Sequence, residues 1–277
     1  MRYVIGCGRL FFVGVLILLI LFIIYCIFPW MKWRARARII KRLAPWIPAV
    51  LGIRVAVRGR VPDAGAASRG YRDAGCGYMV CCNHISFVDI FVLDAILPVH
   101  FVAKKEIASW PLFGAITTGV GTIYIDRERR RAVLEVAEAM RATLESGENV
   151  LFFPEGTTGP GDALLPFHAN LFSAACAAGA EVLPVALRYT LNGETTTIPS
   201  YAEVPLFDVM KRIVFTPGIV AEATILEPID AAAHDRRTVN AMASERMANA
   251  LGFPDATAAL QAEIDSRRKA AQKNKEA

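Results

Sequence analysis

The sequence predicts an α/β fold, a mostly parallel sheet flanked by helices, with an N-terminal membrane-anchoring helical segment ahead of it. Three observations carry this. From residue 53 onward, short apolar or alternating runs are interleaved with longer helical patterns, the signature of strand–helix–strand units. One stretch of 19 uncharged residues, 10–28 (LFFVGVLILLILFIIYCIF), lies near the start. The charge is divided, basic up to residue 62 and acidic beyond it.

The elements follow in order. Residues 10–28 would make a helix of roughly 28 Å, close to the hydrocarbon thickness of a bilayer. A cleaved signal peptide would show a core of about 7–15 residues and a small-residue cleavage site. Here a cationic cluster follows instead, Lys32, Arg34, Arg36, Arg38, Lys41 and Arg42. Residues 31–51 alternate these cations with Trp33, Ile39, Ile40, Leu43, Trp46 and Ile47, as a helix in the headgroup layer would. Pro45 and Pro48 should bend it or split it in two. Residues 53–57 (IRVAV) alternate as a strand does, and 61–77 read as a loop. Strands are expected at 78–82, 100–103, 122–125, 150–153, 182–187, 213–215 and 220–225. Helices are expected at 87–96, 106–118 (broken by Pro111 and Gly114), 129–146, 166–178, 241–251 and 256–269. The helix at 129–146 has apolar residues at Val133, Leu134, Val136, Ala137, Met140 and Leu144 and is closed by Gly147. This gives two parts: 1–50, a membrane helix with an amphipathic basic segment, and 51–277, a catalytic-type domain.

The charge split fixes an orientation. Residues 1–62 hold 11 Lys/Arg and no acid, so the rest carries 20 of the 31 basic groups and all 26 acidic ones, a net of −6. With only Arg2 and Arg9 ahead of the apolar run, the positive-inside rule places the body in the cytoplasm, on the inner (cytoplasmic) membrane. The basic charge flanks an apolar helix and not an aromatic-studded sheet, so no nucleic-acid partner is expected. Membrane lipids are the expected partner. Cys7, Cys26, Cys76, Cys81, Cys82 and Cys176 form no C-x-x-C pair. They read as small buried hydrophobes, with Cys81 and Cys82 on opposite faces of a strand. No His/Cys/Asp/Glu group has ligand spacing, so no metal is expected.

In parallel-sheet folds the functional side chains gather past the carboxyl ends of the strands. Three reactive residues fall there: His84 after YMVCC, Arg127 after TIYID and Glu155 after VLFFP. A histidine can take and return a proton near neutral pH once its tautomer is fixed. If Asp89 lies in the first turn of the helix after His84, its carboxylate can fold back onto the ring, with Ser86 capping that helix. No G-x-S-x-G elbow supplies a nucleophile. A His–Asp pair alone therefore suits direct attack by a substrate hydroxyl.

Four blocks give this pair a context. They are Asn83-His84-Ile85-Ser86-Phe87-Val88-Asp89, Gly121-Thr122-Ile123-Tyr124-Ile125-Asp126-Arg127, Phe153-Pro154-Glu155-Gly156-Thr157 and Val182-Leu183-Pro184-Val185. In order and spacing the chain resembles the glycerolipid acyltransferase family over about residues 30–190, with Lys104-Lys105-Glu106 also similar. That resemblance implies transfer of an acyl group from acyl-CoA or acyl carrier protein, a co-substrate and not a bound cofactor, to the hydroxyl of a lysolipid. It implies His84 as general base and Asp89 as its orienting partner. It further implies Arg127 on the anionic headgroup, with Asn83, Glu155, Gly156 and Thr157 shaping the acceptor site. Two departures bear on the acceptor. Thr158 stands where the third block often continues with arginine, and His168 where a lysine often trails. Lysophosphatidic acid (1-acyl-glycerol-3-phosphate) is the first expectation and lyso-ornithine lipid the second. A non-catalytic lipid-binding protein on the same scaffold is the alternative of another class.

Overall fold

The computed structural model describes residues 2–62, 75–126, 130–202 and 204–276. Most of the expected 61–77 loop and Arg127 lie outside the described residues. Helix α1 spans Arg2–Phe22 and continues as a π-turn, Ile23–Ile27, and a 3₁₀ turn, Phe28–Trp30. The basic segment is in two pieces, α2 (Trp33–Leu43) and α3 (Trp46–Leu51). Pro45 precedes α3 and Pro48 lies in its first turn, where a missing N–H leaves no bond unmade.

The sheet follows: β1 (Arg54–Arg58), β2 (Met79–Cys82), β3 (His100–Lys104), β4 (Ile123–Ile125), β5 (Val150–Phe152), β6 (Glu181–Leu191), β7 (Glu194–Thr195), β8 (Ile219–Ile225) and β9 (Ile229–Asp230). Its order is β1-β8-β6-β2-β5-β3-β4, with β7 and β9 paired to β6. Strands β6, β2, β5, β3 and β4 are parallel, whereas β8 runs antiparallel to β6 and carries β1 parallel to itself. The parallel set sends the ends of β2, β3, β4 and β5 to one edge, where the candidate residues were expected.

Helices cover both faces. The others are α4 (Val88–Ile96), α5 (Phe113–Gly119), α6 (Arg130–Glu145), α7 (Ser173–Ala178), α8 (Leu206–Phe215), α9 (Arg236–Leu251) and α10 (Ala256–Glu276). Val80 and Cys82 of β2 join a core with α3, α4 and α8, while Met79 and Cys81 join one with α6, α7 and α9. Strand alternation thus puts the adjacent cysteines in different layers. Burial pushes both thiols well above their ordinary range, so neither is a ready nucleophile.

Two expectations change, and a third, the broken helix at 106–118, holds at Pro111 but not at Gly114. Residues 213–215 are not a strand but the end of α8. Val209, Ile213 and Val214 are its buried residues, with Asp208 in its first turn and Arg212 in its last, and both charges suit the helix dipole. Residues 166–178 are helical only from Asn170. Ahead of that, Phe167 N–H donates to Thr257 Oγ1 (2.9 Å) and His168 N–H to Pro154 O (2.9 Å), so those amides are committed elsewhere. Residues 106–118 divide into a 3₁₀ turn, Lys105–Ser109, and α5, with the break at Pro111 and Gly114 inside the helix.

Helix α1 is not free of the body. Leu10, Val13, Leu16 and Ile20 pack against the α3/α4/α8 core, a stripe of one helix face. Arg9 Nη1 donates to Val214 O (2.8 Å), and a Cβ on Gly6 would run into the Phe215 ring. The remaining faces expose Phe11, Phe12, Leu18, Phe22, Tyr25 and Trp30. Trp33 of α2 stacks on His100 (3.6 Å), whose ring nitrogens face Gly121 O and Glu148. Deleting residues 1–30 should therefore lower the thermal midpoint of the remaining body in detergent, by on the order of 10 °C for a few lost core side chains. An unchanged midpoint would show that the stripe contributes nothing to the body.

Candidate active site

The chain leaves β2 at Cys82, and the ladder to β6 continues for one more step through a side chain. The Asn83 amide donates to Leu187 O (2.8 Å) and accepts from Leu187 N–H (2.8 Å). A side chain acting as a peptide group lets the backbone turn away without orphaning its neighbour. Asn83 is 3% exposed and its amide is occupied by this pairing, so its place here is in the scaffold under the loop.

The turn brings His84 and Asp89 together. Asp89 lies in the first turn of α4, fully buried. Its Oδ2 accepts from His84 Nδ1 (2.8 Å) and from the N–H groups of Ile85 (2.7 Å) and Ser86 (2.8 Å). Ser86 Oγ accepts from Val88 N–H (3.4 Å) as the helix begins. The buried charge is thus met by donors from its own loop and by a helix N-terminus. With Nδ1 engaged, the other imidazole nitrogen is the one left to act. The His84 side chain is 19% exposed and stacks on Phe153 at 3.8 Å.

Glu155 follows β5 and closes the loop from below. Its Oε2 accepts from His84 N–H (3.1 Å) and its Oε1 from Leu165 N–H (3.1 Å). Burial pushes its carboxyl up to about 7, against the lowering effect of those two bonds. Both oxygens face backbone, so Glu155 fixes the loop that presents His84. Gly156 sits at φ +72°, where a side chain would be strained. Thr157 is exposed and Thr158 half-buried. Two further strands of chain tie down the loop: Gly159 N–H donates to His84 O (2.6 Å), and Tyr201 N–H to Ile85 O (2.9 Å). Past β3 and β4, Lys105 pairs with Asp126 at 3.6 Å. Arg127, the next residue, lies outside the described set. Among the described residues no group of three His/Cys/Asp/Glu side chains could hold a metal ion.

One residue of this site was not expected from sequence. Tyr189 Oη donates to Asp89 Oδ1 at 2.6 Å, from β6 and 100 positions along the chain. The only signal was a tyrosine in an apolar buried strand, since a buried hydroxyl needs a partner.

Comparison with known proteins bears on the family and the fold. Residues 64–188 match the family described as Acyltransferase. The chain is 43% identical over 162 residues to the 1-acyl-sn-glycerol-3-phosphate acyltransferase of Neisseria gonorrhoeae, a match covering 58% of this chain and 64% of that one. It is 32% identical over 191 residues to the lyso-ornithine lipid O-acyltransferase of Brucella abortus, covering 64% and 72%. The chain thus spans just under two thirds of the Neisseria relative and more of the Brucella one. The crystal structure of the 1-acyl-sn-glycerophosphate (LPA) acyltransferase PlsC from Thermotoga maritima superposes with a TM-score of 0.62 over 91% of this chain and 97% of that one, at 21% identity. That likeness is one of fold. With this fold, these blocks and relatives of this similarity, the chain belongs to the acyltransferase family.

Proposed function

We propose that the protein is a membrane-bound O-acyltransferase that moves a fatty acyl group from acyl-CoA or acyl-ACP to the free hydroxyl of a lysolipid. The observation that carries this is the His84–Asp89 pair, a ring held through Nδ1 by a buried carboxylate. His84 Nε2 takes the proton of the lysolipid hydroxyl as its oxygen attacks the thioester carbonyl. Asp89 stabilises the imidazolium that forms. The tetrahedral intermediate collapses, the C–S bond breaks, and the imidazolium returns its proton to the departing thiolate. The products are the ester and free CoA or carrier-protein thiol. Phe153 against the ring and Glu155 beneath the loop hold the imidazole in place.

The exposed apolar faces of α1, with Trp30 and Trp46, form a surface larger than scattered single residues, and lipid is its natural cover. Removal of residues 1–30 should weaken binding to anionic vesicles without full release. Trp33, Trp46 and the cations of α2 still act at the interface. A fully released protein, equally active on micellar substrate, would deny α2 a membrane role.

For the acceptor, lysophosphatidic acid is the first reading, supported by the higher identity to the Neisseria relative. Arg127, with Lys104 or Lys105, would meet the phosphate. Lyso-ornithine lipid is the second reading, favoured by Thr158 and His168 in place of cations, since a zwitterionic headgroup needs less positive charge. Purified protein offered both lysolipids, each with acyl-CoA and acyl-ACP, decides acceptor and donor together. Thr158→Arg should raise the preference for lysophosphatidic acid about 10-fold or more, because it adds a bidentate donor. Wild-type protein that ignores lysophosphatidic acid and acylates lyso-ornithine lipid would remove the first reading.

A further inference from the structure

We propose that Tyr189 is a positioning residue for His84, acting through Asp89 to set how strongly the carboxylate holds the protonated ring. This rests on the reading of His84 as general base.

The geometry is specific. Asp89 accepts four hydrogen bonds, three on Oδ2 from its own loop and one on Oδ1 from Tyr189. The Tyr189 contact, at 2.6 Å, is in the short range of hydroxyl–carboxylate bonds. Both side chains are fully buried. The placement follows from the sheet. Asn83 pins Leu187 beside the loop, and Tyr189, two residues on, projects from the same face of β6. Packing alone does not ask for the hydroxyl. Leu183, Val185 and Leu187 share that face in an apolar core, where a phenylalanine would fill the same ring volume.

The hydroxyl does two things there. It fixes the plane of the carboxylate, so that Oδ2 points at His84 Nδ1. It also draws charge toward Oδ1, which weakens the hold of Oδ2 on a protonated ring and leaves the neutral base available at lower pH. Tyr189 stays a donor throughout, because burial, and then the Asp89 charge, push its hydroxyl well above the ordinary tyrosine range. Other titratable groups face this cluster. Cys82 of β2 is held as a thiol by burial. Glu155, after β5, changes charge near neutrality. On α4 itself Asp94 is also raised by burial, but it accepts from Val99 N–H beyond the other end of the helix and does not face the cluster. All three act alike in wild type and variant, so the difference between the two isolates Tyr189.

The test follows the imidazole signals of histidine-labelled full-length protein in detergent micelles across pH, with His84→Ala identifying the His84 signal. Tyr189→Phe should move the His84 midpoint up by about half to one unit. Turnover near neutral pH should fall about 3- to 10-fold with KM for the acyl donor unchanged, and should recover on the alkaline side. A fluorinated tyrosine at 189, a stronger donor of the same shape, should move the midpoint down. An unmoved midpoint, or a loss of rate that is even across pH, would overturn the proposal. If Tyr189→Phe does not fold, the fluorinated arm alone decides: a downward midpoint supports the role and a fixed one overturns it. An inactive His84→Ala with an unmoved midpoint removes Tyr189 only. An active His84→Ala with a moving midpoint leaves the coupling intact and removes the base.

Discussion

His84→Ala should lower turnover by about 10²- to 10⁴-fold, the usual contribution of a positioned base. The loss should fall on kcat and kcat/KM together, because the ring acts on the proton only as the acyl bond forms. Stability should change little. The side chain is partly exposed, its main-chain bonds to Glu155 and Gly159 remain, and Asp89 keeps its other three donors. Measuring turnover beside the thermal midpoint separates the two effects. A variant within a few-fold of wild type would exclude His84 as the base.

Asp89→Asn should cost about 10²-fold or more in kcat while leaving the fold nearly intact. The amide oxygen can keep the Oδ2 position and accept from His84, Ile85 and Ser86. Its NH₂ would then face Tyr189, whose hydroxyl can rotate to accept. What is lost is the negative charge that stabilises the imidazolium. Asp89→Ala should differ in kind. It strands the buried N–H groups of Ile85 and Ser86, at about 1–3 kcal/mol each, and the thermal midpoint should fall with the rate. Equal midpoints for the two variants would contradict this account of Asp89.

The parts legible in sequence were those whose signal is local. Helix α6 announces itself through Val136, Met140 and Leu144 at four-residue spacing, all buried against the sheet. The His84–Asp89 contact follows from one loop and one helical turn, and was foreseen. Residues 213–215 misled because Ile-Val-Phe in isolation reads as strand. The helical spacing that corrects it begins upstream at Val209, after Pro205. The extent of β6 was underread because the run continues past Leu187 through Arg188 and Thr190, polar residues within a strand. A tyrosine in an apolar strand signals a buried partner for its hydroxyl, but nothing local could name Asp89, 100 positions away in the chain. The scaffold place of Asn83 was hidden for the same reason: Leu187 O and N–H become its partners only once β2 and β6 are neighbours.

The tethers of the His84 loop bear on what can be built from it. Its seven-residue signature looks like a cassette that a designer could graft onto any strand–helix junction. Yet the loop is held by Leu187, Glu155, Gly159, Tyr201 and Tyr189, from the two neighbouring strands and the loops that follow them. A graft carrying only residues 83–89 would bring the base and its carboxylate and leave every one of those restraints behind. The smallest transferable unit is the three central strands β5, β2 and β6 with the loops that follow them.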